Sequence, residues 1–424
     1  MFIVLKRHYP DFEALLNSIP DHRERHTFQV AEVIMAGLAM FIFKRGSRNH
    51  TDKMVTGYCE ANYVKLFGCR LPVMDTVDKF LRGLSPDELE KLKQVLVRRL
   101  IEKKVLEKWK YQNRYVVAID GTGVFSFDHE PFEGCPYKES KNGKKTWQAH
   151  VVEAKLLCGN GLSISIATQW LNNSEDISNK QDCELKAFVR LAEKVKKMYP
   201  RLPVIITADS LYPNDTVFTL CKKNNWDFIL TFKEGTLKSV WQEVGLLYSI
   251  LEVSNKEERI LAKTEEGWLR ENIMYINEIT YKKHTLHWIE YQSGIKADTP
   301  DARFVHITNI LPDRKSAWHI SKHGRLRWKI ENEGFNTQKN GGYNLQHKYS
   351  RSHFGAMQNY YQLLQIAHLI NQLTEKLRQV KNALAQAGTT LKAVFEDVMA
   401  TMRKELLCEI GLQLELQNCK QLRY

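Results

Sequence analysis

The chain has 424 residues, 43% of them hydrophobic and 10% aromatic, which describes a globular protein with a large core and two to four structural units. Lys and Arg number 62 against 49 Asp and Glu, a formal net charge of +13 that favours a polyanionic partner: DNA, RNA or an anionic membrane surface. The longest apolar run, Val33 to Phe43, is too short to span a bilayer and is bounded by Glu32 and Lys44-Arg45, so it predicts a buried helix; no membrane segment or secretory signal is visible.

Residues 1–108 are expected to be a helical N-terminal domain. Asp21-His22-Arg23-Glu24-Arg25 precedes the apolar helix at 28–43, and Ser85-Pro86-Asp87-Glu88 opens another with Pro in its first turn and acids near the positive end of the dipole. Arg98-Arg99, Lys103-Lys104 and Lys108 to Lys110 add a basic run that by itself reads as a solvated face. The eight cysteines form no C-x-x-C pair and no His/Cys zinc spacing, so they are expected as reduced core thiols of a cytosolic protein.

From Tyr115 the pattern turns to strands. Tyr115–Ile119, Gln148–Leu157 and Leu162–Trp170 are β-branched and apolar, with Gly159-Asn160-Gly161 as a hairpin turn, which predicts three consecutive antiparallel strands. An amphipathic helix from Asp182 to Tyr199, a strand at 203–208, a helix at 214–224 and a strand at Trp226–Phe232 complete a βββαβαβ order. That order implies an α/β fold, a mixed sheet with helices on its faces in the ribonuclease H-like layout, over 109–235 and again over 312–380. Between them, 236–311 reads as an inserted β subdomain with strands at Glu258–Thr264, Trp268–Ile276, Thr285–Tyr291 and Phe304–Ile310. The helix Met357–Val380 is expected to pack behind the sheet by an apolar stripe, and 381–424 to be a helical C-terminal tail.

Two acids follow apolar strands: Asp120 after Val116-Val117-Ala118-Ile119, and Asp209 after Val204-Ile205-Ile206-Thr207-Ala208. A third, Glu331, lies in a basic amphipathic helix. Helical spacing sets Arg327, Glu331 and Phe335 on one side with Lys339 a further turn on, before Gly341-Gly342 ends the helix, while Glu333 should face away. Each acid alone has an ordinary explanation: a turn former for Asp120, a pair with Arg327 for Glu331.

Taken with their surroundings, these residues resemble a known family. Ile119-Asp120-Gly121-Thr122, Ala208-Asp209-Ser210-Leu211-Tyr212, Ile307-Thr308-Asn309 and the run Arg325 to Lys339 are similar to the DDE transposases of bacterial insertion sequences that carry a β-strand insertion before the last acid. Asp209 follows Asp120 by 89 residues and Glu331 follows Asp209 by 122, room enough for the insertion. The resemblance implies that Asp120, Asp209 and Glu331 are catalytic metal ligands, and that Arg327 and Lys339 hold phosphates. It departs from the family at Gly324, where a tyrosine is usual, and at Gln338, where the lysine is commonest.

Three carboxylates suit two Mg²⁺ ions, with Mn²⁺ as a substitute, because hard cations take oxygen ligands and can activate an attacking oxygen while stabilising a leaving one. Without metal the acids should repel and raise at least one pKa. Lys322, Arg325, Arg327, Lys329, Lys339, Lys348 and Arg351, interleaved with Trp328, Phe335, Tyr343 and Tyr349, form a surface suited to tracking DNA. His129 and His150 are read as hydrogen-bonded structural histidines, and Trp268 and Trp288 as core residues in preference to base-stacking platforms. The expected function is a DNA transposase that cuts at its element's terminal inverted repeats and joins the freed 3′-hydroxyl to target DNA, as a homodimer, in the bacterial cytoplasm at the nucleoid. The alternatives are a catalytically silent DNA-binding regulator of the same descent and another ribonuclease H-like nuclease.

Overall fold

The structure, a computed structural model, describes all residues except 174–181, 266, 296–299, 409–421 and 423. Seven helices precede the first strand: α1 (Phe2–His8), α2 (Phe12–Asn17), α3 (Val30–Ile42), α4 (Arg48–Asp52), α5 (Gly57–Phe67), α6 (Met74–Gly83) and α7 (Pro86–Glu102). Helix α3 is the apolar run of the sequence, and all thirteen of its residues are buried. A reciprocal capping box between Gln29 and Glu32 starts it, and Glu32 also pairs with Arg70 at 2.8 Å.

Ten strands form one mixed sheet: β1 (Tyr115–Phe127), β2 (Tyr137–Glu139), β3 (Lys145–Leu157), β4 (Ser163–Trp170), β5 (Val204–Ala208), β6 (Asp227–Thr231), β7 (Lys256–Thr264), β8 (Gly267–Tyr281), β9 (His284–Gly294) and β10 (Ala302–Thr308). Strand order is β2-β3-β1-β5-β6-β10-β9-β8-β7, with β4 paired to β3. The antiparallel run β1-β3-β4 matches the sequence reading, and the turn after β3 is held by the Cys158 N–H donating to Leu162 O at 2.9 Å, with Gly161 at φ +95°. Strands β1, β5 and β6 are parallel neighbours.

Helices cover both faces. On one lie α8 (Glu184–Met198), α9 (Asp215–Asn224) and α10 (Lys238–Asn255); on the other, α11 (Ser316–Arg325), the segment carrying Glu331, and α12 (Thr337–Asn340) with α13 (Phe354–Glu375). Helices α14 (Arg378–Gln386) and α15 (Leu391–Lys404) follow. The result is a mixed open sheet flanked by helices, an α/β fold.

Three expectations change. The region 236–311 does not form a separate sheet: β10 pairs with β6 and β9, so its strands continue the main sheet, and they are preceded by the helix α10. Helix α13 is not amphipathic but buried almost all round, packed against α3, α6 and α7 as well as β4. Its Asn359, Gln362, Gln365, His368, Asn371 and Gln372 are buried too and supply polar contacts within the core. One core cluster therefore runs from Val4 through the sheet to Met402, and a second, with Ile205, Ile229 and Ile289 of the sheet, packs against Ala317, Trp318 and Ile320 of α11. Of the cysteines, the seven described are free, but Cys183 and Cys408 are exposed rather than buried, and Cys419 lies outside the described residues. Among the described residues no helix is long and apolar enough to cross a membrane.

Candidate active site

The sheet register brings the first two acids together. Ala118 of β1 pairs with Thr207 of β5 in parallel, and that register carried on by two residues puts Asp120 and Asp209 at corresponding positions just past the last paired rung. Asp120 is not the end of its strand as the sequence suggested. Strand β1 runs on to Phe127 beside β3, whereas β5 stops at Ala208, and Asp209, just past that end, lines a cavity. The Asp120 Oδ1 accepts the Gly121 N–H at 2.9 Å, and Asp209 Oδ1 accepts that of Leu211 at 2.9 Å.

Glu331 arrives from the same face, but not on a regular α-helix. After α11 the chain turns at Leu326-Arg327, and Ile330–Asn336 is a π-helix that passes into α12, whose C-cap is Gly341. The wider π turn is a common device at functional sites. Here Gly334 allows it to press on the sheet: a Cβ there would meet Ser163 Oγ at 3.2 Å and the Lys155 side chain at 3.4 Å. Arg327 still reaches Glu331, its Nη1 donating to Oε1 at 2.8 Å, and lies 3.7 Å from Asp120 Oδ2. Glu333 turns to Lys329, also at 2.8 Å, so the two glutamates have separate partners as expected.

One arginine thus stands between two acids. Its side chain is 8% exposed and that of Asp120 16%, so their charges interact in a poorly solvated setting. Burial pushes the Asp120 carboxyl up to about 7; Arg327 opposes the shift, while Glu331 and Asp209 add to it. Burial, more than the neighbouring acids, is therefore what disfavours the ionised form of Asp120.

Among the described residues, no group of three His, Cys, Asp or Glu side chains stands ready-made around one cation position. The Arg327 guanidinium lies between Asp120 and Glu331. Carboxylate oxygens are the donor type that a hard divalent ion takes.

A cavity of about 680 Å³ opens from Asp209 and Glu331 toward β6 and β10, with Lys233, Arg303, Arg325 and Arg327 in its wall and Trp328 at its rim. Arg325 lies over the rings of Tyr291 (4.1 Å) and Phe304 (5.4 Å), and Arg303 pairs with Glu290 at 2.7 Å. Lys233 and Arg303 were not singled out in the sequence because they approach only when β10 docks beside β6. Of the four basic residues assigned to DNA, Arg325 and Arg327 face the cavity, Lys329 is tied to Glu333, and Lys339 is half-buried without an ion pair among the described residues.

The two departures from the resembled family have structural counterparts. At Gly324 a Cβ would come within 2.5 Å of His306 Nε2 and 2.8 Å of Ile229 Cγ2, so the buried His306 ring occupies the space a larger residue would need. Burial lowers His306 to about 3 and keeps it neutral. Gln338 is fully enclosed, its Nε2 donating to Gln365 Oε1 at 2.8 Å and meeting His368 Nδ1 at 2.9 Å, so it ties the Glu331 segment to α13 in place of reaching DNA.

His129 is exposed beside Asp128 (2.8 Å), and His150 pairs with Glu184 at 3.0 Å. Trp288 is buried against Trp241 and Tyr248, whereas Trp268, expected in the core, is 47% exposed on the hairpin of β7 and β8. No family model and no curated protein matches this chain.

Proposed function

We propose that this protein is a metal-dependent DNA transposase of the DDE type on a ribonuclease H-like sheet, cutting the strand at transposon ends and transferring the freed 3′-hydroxyl to target DNA. The observation that carries the reading is that Asp209 and Glu331 line one cation-walled cavity while Asp120 meets the Arg327 of that wall, 3.7 Å away, which Glu331 also binds. A structural role for these acids would pair each with a neutralising partner, yet Asp120 and Glu331 share the one Arg327, and burial makes Asp120 hard to ionise.

Asp120, Asp209 and Glu331 would hold Mg²⁺ or Mn²⁺, which supplies an activated oxygen nucleophile and charge stabilisation for the leaving oxygen. The remaining work falls to the chain. Arg327 lowers the cost of ionising Asp120 and keeps Glu331 turned inward until a stronger cation competes. Arg325, Arg303 and Lys233 offer the cavity wall to backbone phosphates, and Arg325 is preoriented by its two aromatic neighbours. The net charge of +13 supports binding to DNA over longer stretches, to both terminal repeats and target. Synapsis of two ends would require a homodimer.

The test is direct. Purified protein is incubated with Mg²⁺ or Mn²⁺ and terminal-repeat DNA beside Asp120→Asn, Asp209→Asn and Glu331→Gln. Strand joining by wild type alone supports transposition; cutting without joining would reassign the protein as a nuclease; binding without either would make it a regulator.

A further inference from the structure

Lys155 of β3 is a charged group that the proposed chemistry does not use. It is fully buried on the face of the sheet that carries Asp120, since Ala118 and Asp120 of β1 pair with Lys155 and Glu153 in turn. Burial lowers its pKa to about 8, so it keeps its proton at neutral pH. Its ammonium donates to Gln365 Oε1 at 3.3 Å and lies 4.9 Å from the centre of the Phe335 ring. Gln365 Oε1 also accepts Gln338 Nε2 at 2.8 Å, and Gln365 Nε2 donates back to Gln338 Oε1 at 3.2 Å. One buried cation therefore meets the chain directly at Phe335 and, through a single amide, at Gln338, four and seven residues after Glu331. The π turn packs on β1 and β4, the two neighbours of β3, and Gly334 brings its backbone down onto the Lys155 side chain.

A buried cation is costly, and an apolar side chain of similar volume would pack here with less desolvation. What an apolar residue would not do is choose a register. An apolar surface accepts Phe335 from several directions, whereas an ammonium is satisfied only by a ring face and a carbonyl oxygen held in set places. The choice matters because a π turn holds one residue more than an α turn. With Phe335 and Gln338 fixed in the core, relaxation to a plain α-helix would rotate Glu331 by about 100° around the axis, away from the cavity that Asp209 also lines.

We propose that Lys155 is a positioning residue for Glu331: its ammonium holds Phe335 and, through Gln365, Gln338, and so keeps the turn in the register that aims Glu331 into the cavity. This rests on the reading of Asp120, Asp209 and Glu331 as a metal site.

The experiment measures Mn²⁺ affinity by titration calorimetry, melting in chelator, and amide hydrogen exchange over 330–338 and α13. The full-length wild type is compared with Lys155→Met, Phe335→Leu, the double variant, Lys93→Met and Asp120→Asn. Lys93 is the control because it is equally buried but bonds the hydroxyls of Ser165 and Thr168. Lys155→Met and Phe335→Leu should each weaken Mn²⁺ binding about ten-fold, the size of effect usual for groups that orient a metal ligand. The double variant should lose little more, since both changes remove one contact. Exchange should quicken over 330–338 and stay slow in α13, and Lys93→Met should bind Mn²⁺ as wild type does. A purely structural role would lower the melting temperature in chelator and leave the affinity in place. Should Lys155→Met not fold, Phe335→Leu decides alone. Wild-type affinity in Lys155→Met and Phe335→Leu, with Asp120→Asn binding no Mn²⁺, overturns the role of Lys155 and leaves the metal site standing. An equal loss in Lys93→Met means that the effect travels through the charge of the core, and the proposal fails. If Asp120→Asn binds Mn²⁺ as wild type does, the metal-site reading itself falls, and this inference with it.

Discussion

Asp120 and Glu153 are direct partners across β1 and β3, on the same face of the sheet, and they meet opposite fates. Glu153 is completely buried, bonded to Thr168 Oγ1 at 2.5 Å, with the buried ammonium groups of Lys93 and Lys155 close enough for its charge to support theirs. Those lysines have hydroxyl and amide acceptors of their own in Ser165, Thr168 and Gln365. One strand away, Asp120 has one peptide N–H and a share of one arginine, at a step where the neighbouring strand has ended. Neither carboxylate is fully satisfied, since the second oxygen of Glu153 has no partner among the described residues, but Glu153 is sealed in the core among lysines while Asp120 stands beside the arginine that lines the cavity.

The largest expected effect would break that comparison on the chemical side. Asp120→Asn, Asp209→Asn and Glu331→Gln should each reduce strand cleavage with Mg²⁺ to background while leaving DNA binding intact, read by cleavage of end-labelled terminal-repeat DNA; a variant retaining wild-type cleavage would remove that acid from the site. On the architectural side, Glu153→Ala should cost about 3–5 kcal/mol in chemical denaturation, because it strands Lys93 and Lys155 without their counter-charge.

The same comparison predicts opposite stability signs. The folded-state pKa of Asp120, about 7, lies above the unfolded value of about 3.8, so the native protein binds the proton more tightly and loses stability as pH rises between those values. In chelator, Asp120→Asn should therefore melt near wild type at pH 4 and several degrees above it at pH 8. A constant difference across pH would contradict the burial-raised pKa of Asp120.

Packing around the site gives a smaller effect. Gly324→Ala should destabilise by about 1–3 kcal/mol through contact with His306 and Ile229, and His306→Ala in the same chain should recover part of that loss in denaturant melts. The smallest effect is expected at Lys339, where replacement by Ala should flatten the dependence of log affinity on log salt by about 0.9 if the side chain neutralises one phosphate. An unchanged slope would take Lys339 off the DNA path.

The apolar runs that lead into Asp120 and Asp209 were legible as strands because they are continuous, although β1 runs on past Asp120 and β5 ends at Ala208. The distribution of partners was not. Gln338 and Lys339 are adjacent polar residues in the sequence, and only the packing of α13 decides that the first is sealed in the core. Helix α10 escaped notice because its apolar residues make no clean stripe: Leu246 and Ile250 are 74% and 71% exposed. Strand β10 was recognised as a strand of the inserted β segment, but its pairing with β6 was not, since it joins segments some 75 residues apart (Thr231 with His306) that no local pattern connects. The π-helix is equally silent, because the spacing around Glu331 satisfies an α-helical reading as well.

That π turn has a further consequence. A widened turn amounts to one extra residue threaded into an otherwise ordinary helix, so deleting Asn332 would rewind the segment toward ordinary pitch and leave the heading of whatever follows nearly unchanged, whereas the same deletion in a regular helix swings the remainder by roughly 100°. The stretch works like a screw thread cut with one tooth too many: its pitch, more than its composition, decides where Phe335 and Gln338 lock. A single-codon insertion here should therefore be more damaging than a single-codon deletion.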